Sequence, residues 1–108
     1  MTEPVADLDG VFGALADPTR RGLLERLVAG GPDTATNLVA GLPVTRQAVV
    51  KHLQVLADAG LVTPQRHGRE VRYAATADPL GPAVGWMLAA GAQWDRRLER
   101  LRARLARP

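Results

Sequence analysis

Val44-Thr45-Arg46-Gln47-Ala48-Val49-Val50-Lys51-His52-Leu53-Gln54-Val55-Leu56-Ala57-Asp58-Ala59-Gly60-Leu61-Val62 is the stretch that decides the fold. Thr45 predicts a helix start, because its hydroxyl can accept from an orphan backbone N–H of the first turn, and Gly60 predicts the stop. Between them Val49, Leu53 and Leu56 recur at i, i+4 and i+7, one apolar stripe for a core. Arg46, Gln47, Val50, Lys51 and Gln54 fall on the opposite face. A guanidinium, two amides, an ammonium and a small apolar group are what a helix uses to read base edges in a major groove. A solvated face would also be charged. Val50 tips the reading toward DNA: it has no core partner at helical spacing, and its size suits a thymine methyl. Arg46, Gln47, Val50 and Lys51 are expected to reach bases, with Gln54 peripheral. Thr45 is expected to serve both as cap and as phosphate donor. His52 lies between the two faces, open equally to a packed role and to a phosphate contact.

Upstream, Leu8, Val11, Phe12 and Leu15 make a short amphipathic helix that Asp17-Pro18 punctuates. The next helix carries Leu23, Leu24, Leu27 and Val28 inward and stops at Gly30-Gly31-Pro32. A third, about Thr34 to Ala40, presents Ala35, Leu38 and Val39, followed by Leu42. A tight connection over Gly41 to Pro43 then leads into the opening stretch, so residues 34–59 read as a helix-turn-helix. Downstream, Leu61-Val62-Thr63 and Glu70-Val71-Arg72-Tyr73-Ala74 flank His67-Gly68-Arg69, a β-hairpin with Gly68 at the turn. Val71 and Tyr73 face one way, Glu70 and Arg72 the other. Arg66, Arg69 and Arg72 flank or follow the turn and suit a narrow minor groove or its phosphates, Arg69 first because it adjoins Gly68. Arg20 and Arg21 are open to bracing the helix-turn-helix instead of touching DNA.

From Pro82 to Leu105 the pattern predicts a helix of about 36 Å. Trp94, Leu98, Leu101 and Leu105 stand at i, i+4, i+7 and i+11, and Ala90, Met87 and Trp86 extend the stripe upstream. A monomer this small cannot cover so long a stripe, and a two-fold dimer is the economical solution. Arg96, Arg100, Arg104 and Arg107 read as a solvated face.

Composition agrees. At 108 residues the chain is expected to form one domain, and 46% hydrophobic residues argue against disorder. Residues 1–44 hold six acids and three arginines, residues 45–75 five bases and two acids, and residues 76–108 six bases and three acids. DNA would be repelled from the acidic front and attracted to the rest. Thirteen of the fourteen bases are arginine, which suits bidentate phosphate and guanine contacts. There is no cysteine and no serine, which removes disulfides, thiol chemistry and serine nucleophiles. No glycine-rich phosphate loop is present, and catalysis and cofactors are not expected. No apolar run approaches a membrane span, and the acidic Met1 to Asp9 segment does not read as a signal peptide, so a cytoplasmic protein is expected.

Several blocks in order resemble the ArsR/SmtB family: Ala16-Asp17-Pro18-Thr19-Arg20-Arg21, the Thr45 to Val62 block with Lys51-His52-Leu53 and Ala59-Gly60-Leu61-Val62, and Gly68-Arg69. The resemblance spans about residues 8 to 105. It implies a mainly α fold with a small β-hairpin: a single winged helix-turn-helix domain over 1–108, of five helices plus a wing. The helix-turn-helix would occupy 34–59, the wing 61–75 and the dimerisation helix 82–105. The first and last helices would form the dimer interface, through Leu8, Phe12, Trp86, Trp94, Leu98, Leu101 and Leu105. Family members that sense metal in the third helix carry a Cys-x-Cys pair, where this chain has Thr34 and Thr36. Those using the last helix place Asp and His ligands on it; here it holds Asp95 and Glu99 but no histidine. No metal site is expected, and the last helix looks more like the non-metal-sensing branch. The function implied is a homodimeric repressor that occludes an inverted-repeat operator in double-stranded DNA, with no effector assigned. Two alternatives remain: a winged-helix protein–protein adaptor without specific DNA binding, and the same fold holding a metal through Asp, Glu and His.

Overall fold

Short polar side chains set where the helices begin. In the computed structural model, which describes residues 7–106, Asp7, Asp17, Thr34 and Thr45 each accept from the backbone N–H three residues on. They open α1 (Leu8–Leu15), α2 (Pro18–Gly30), α3 (Ala35–Val39) and α4 (Arg46–Asp58). Each cap satisfies one of the N–H groups that a helix leaves orphan in its first turn. At α4 the bond runs from Ala48 N–H to Thr45 Oγ1 over 3.1 Å. Thr45→Ala should therefore cost about 1 kcal/mol of stability, read as a lower urea midpoint at unchanged slope. A midpoint equal to wild type would remove the cap from the account. Past the end of α4, Gly60 turns the chain with φ of 77°, and a Cβ there would stand 3.3 Å from the Pro79 ring.

The strands are β1 (Asp33–Thr34), β2 (Val62–His67) and β3 (Glu70–Ala75), all antiparallel in the order β1-β3-β2. The hairpin is longer than the sequence suggests. His67 pairs with Glu70, so the turn is only Gly68-Arg69, with Gly68 at φ of 64°. β1 is an addition to the expected hairpin: Asp33 pairs with Tyr73 and Thr34 with Arg72. It ties the start of α3 to the wing.

The core is the shared interior of α1 to α4 and the base of the hairpin. Leu23, Leu38, Leu53, Leu56, Leu61, Val11 and Val49 are its largest fully buried side chains. The predicted stripe of α4 is all inside. The last helix, α5 (Leu80–Leu105), begins two residues before the expected Pro82. A proline in a first turn withholds an N–H that has no helical partner there.

Along α5 only Ala83 is buried. Phe12 of α1 meets Trp86 edge-on at 5.6 Å between ring centroids. Beyond that contact the helix runs free of its own domain: Trp94 is 59%, Leu101 52% and Leu105 78% exposed. The radius of gyration is 19.1 Å, against about 13 Å for a compact domain of this length. The accessible surface of 8050 Å² compares with about 5,800 Å² for a folded monomer of this mass.

Candidate nucleic-acid interface

The outer face of α4 is polar and presented to solvent. Thr45, Arg46, Gln47, Lys51 and Gln54 are all exposed. Arg46 is partly oriented: its Nε donates to Thr36 Oγ1 of α3 at 3.1 Å, which leaves both terminal nitrogens of the guanidinium for a bidentate acceptor. Gln54 donates to Asp58 Oδ1 one turn on, at 2.8 Å, consistent with a peripheral place. Among the described residues, no protein partner engages the side chains of Gln47 and Lys51.

Val50 differs from the expectation. It is half-buried and packs against the core, on a groove of about 460 Å³ between α3, α4 and β3 whose walls include Thr36, Arg46, Arg69 and Tyr73. Helical spacing placed it fully on the outer face; the structure leaves it part of that exposure, in a groove that β3 also lines.

Arg66 and Arg69 are both exposed on the wing, Arg66 in β2 opposite Val71 and Arg69 in the turn. Arg72 is engaged with Glu70, at 3.5 Å between Nε and Oε2. Arg46 of α4 and Arg69 of the wing turn thus border one groove, together with Glu70.

Behind that surface, arginines bind the helices together. Arg20 donates to the carbonyls of Ala14 (2.7 Å) and Gly13 (3.0 Å), and Arg21 to that of Leu15 (2.6 Å). Arg26 reaches the carbonyls of Leu38 (2.5 Å) and Asn37 (3.3 Å) at the end of α3. His52 is half-buried, with Nδ1 3.4 Å from Arg20 Nη1 and 4.0 Å from Asp17 Oδ2. The Arg20 backbone N–H bonded to Asp17 holds that carboxyl below its ordinary range, against partial desolvation. Because the folded value is the lower one, this contribution is present above the ordinary carboxylate pKa. It is lost as pH falls through the folded value.

The hydroxyls of Thr34 and Thr36 are both engaged: Thr34 caps α3 and Thr36 receives Arg46. Among the described residues, no group of three or more His, Cys, Asp or Glu could hold a metal ion. Among the same residues, no helix is long and apolar enough to cross a membrane. Of the expected dimer residues, Leu8, Phe12 and Leu98 are half-buried, while Trp86, Trp94, Leu101 and Leu105 are exposed. Arg107 and the Met1 to Ala6 part of the acidic leader lie outside the described residues.

Known proteins share this arrangement. A family model for a helix-turn-helix domain matches residues 15–65. The transcriptional repressor SdpR of Bacillus subtilis is 31% identical over 81 residues, which cover 75% of this chain and 89% of that protein. The structure of an ArsR-like transcriptional regulator from Rhodococcus sp. RHA1 superposes with a TM-score of 0.76 at 40% identity, covering 94% of this chain and 93% of that one. The cadmium metal-sensor CMTR from Mycobacterium tuberculosis is 41% identical with a TM-score of 0.56, over 72% of this chain and 79% of that one. These relatives are regulators of transcription, not enzymes. The helix-turn-helix followed by a hairpin is thus a shared fold, and the chain belongs to the ArsR family of winged helix-turn-helix transcriptional regulators.

Proposed function

We propose that the protein is a homodimeric, sequence-specific repressor that occludes an inverted-repeat operator. The observation that carries this reading is the groove bordered by Arg46 of α4 and Arg69 of the wing. It joins a major-groove reader to a cationic wing tip on one surface. Arg46, Gln47 and Lys51 contact bases; Thr45, Arg66 and Arg69 contact backbone or minor groove. His52 stays inside as a structural residue, engaged by Arg20. Two copies related by a two-fold axis, joined through α1 and α5, place their reading helices in successive major grooves about 34 Å apart. The dimer is supported by the exposed apolar face of α5. A surface some 2,000 Å² larger than a compact monomer's leaves ample area for a specific interface, which needs about 800 Å² per partner. Such a protein acts where the chromosome is, in the cytoplasm.

Arg46→Ala and Lys51→Ala should each weaken operator binding by about 1–3 kcal/mol. A gel-shift series at fixed salt measures this, and unchanged affinity would sink the base-reading assignment. A protein–protein adaptor on the same fold would give no salt-dependent affinity for duplex, whereas a DNA reader binds even random duplex with a steep salt slope. Likeness to a cadmium sensor makes metal the alternative release signal. Against it stand the engaged hydroxyls of Thr34 and Thr36, poor ligands for soft metals. Native mass spectrometry after exposure to cadmium or zinc separates the two.

A further inference from the structure

Arg20 occupies the third position of α2, and among the described residues its side chain is the one group that bonds both α1 and α4. Through Nε it satisfies the carbonyl of Ala14, one of the acceptors a helix leaves orphan at its C-terminal end, and through Nη2 it adds a second donor to the Gly13 carbonyl, which also accepts from Ala16 N–H. The last turn of α1 has no basic residue of its own, so α2 supplies the cation that its dipole favours. The remaining nitrogen, Nη1, lies 3.4 Å from His52 Nδ1 at the middle of α4. That contact requires Nδ1 to be the acceptor, with the ring proton on Nε2. Asp17, itself fixed as the cap of α2, faces the same ring atom at 4.0 Å.

The buried stripe of Val49, Leu53 and Leu56 holds α4 on the core, and Arg20 adds a directional contact to that packing. The guanidinium is a rigid planar fork, and a shift of α4 relative to α1 breaks one end of it. Arg46 lies six residues before His52, about 9 Å along the axis, so a small tilt about His52 moves the base-contacting end.

We propose that Arg20 is a positioning residue for operator recognition: it fixes the angle of α4 against α1, and thereby the separation of the two reading helices across the dimer. The inference rests on the dimeric, operator-reading function proposed above.

The test uses full-length protein and the operator that the wild type selects from a random duplex pool. That operator is resynthesised with its half-sites moved together or apart by a few base pairs. Arg20→Met keeps the side-chain stem and removes the donors; His52→Leu removes only the α4 end. The wild type should discriminate sharply between spacings. Arg20→Met should lose roughly tenfold at the native spacing, about one charge-assisted hydrogen bond. It should hold its affinity for shifted spacings and random duplex, so that the preference flattens. His52→Leu should flatten it in the same direction, and decides the matter by itself if Arg20→Met does not fold. The proposal is overturned if either folded variant keeps the wild-type spacing preference. It is equally overturned if affinity falls alike on every duplex, as a lost phosphate contact or general destabilisation would cause. A wild type that selects no paired half-sites ends the operator reading and this inference with it, before any variant is made.

Discussion

Replacing Trp94 and Leu101 together by alanine is expected to give folded monomers that no longer hold paired half-sites. The two side chains are seven residues apart on one face of α5, with Leu98 between them, and both are more than half exposed in the protomer. Their loss costs the protomer little packing of its own. In the proposed dimer they are the expected large anchors, and central aromatic and aliphatic anchors carry about 2 kcal/mol or more each on truncation. A combined loss of about 4 kcal/mol raises the dimer dissociation constant roughly a thousandfold. A monomer then engages one half-site, and the advantage of two linked contacts disappears. Sedimentation velocity reads the first effect and a gel shift the second. An intact dimer at micromolar concentration would refute the interface.

The second large effect is on stability. Leu53→Ala should cost about 2–5 kcal/mol, a large part of the 5–15 kcal/mol available to a domain. Leu53 has no exposed surface, and it lies beneath the reading face of α4, among side chains of a core common to all the first four helices. Truncation removes its transfer free energy and leaves a cavity that rigid helices cannot close. Gln47→Ala, on the exposed face of the same helix, should change stability by no more than about 0.5 kcal/mol while weakening operator binding. Urea unfolding of the two variants side by side separates the faces. A cost below about 1 kcal/mol for Leu53→Ala would contradict the packing described.

Much of this was legible in the chain because the deciding interactions are local. A cap bonds three residues on, a buried stripe repeats every three or four, and a two-residue turn needs its glycine. Thr45, the Val49-Leu53-Leu56 stripe and Gly68 therefore read correctly from sequence. What was not legible depends on contacts between distant segments. β1 is two residues with no alternation to detect, and it exists because Tyr73 and Arg72 offer it a partner. Val50 shows the same gap: the helical period says which face a side chain occupies, but not that α3 and β3 form a groove beside it. Arg20 was recognisable as a bracing candidate. Its bond to His52, 32 residues away, was visible only in three dimensions. The apolar stripe on α5 was plain in the sequence, and the fold sharpened its meaning by leaving it outside the core.

If two copies read two halves of one operator, selection of bound duplexes from a random pool by the wild-type protein should yield an inverted repeat whose half-site centres lie about one helical turn, roughly 10 base pairs, apart. Enrichment of a single unpaired half-site, or of no sequence at all, would contradict that reading.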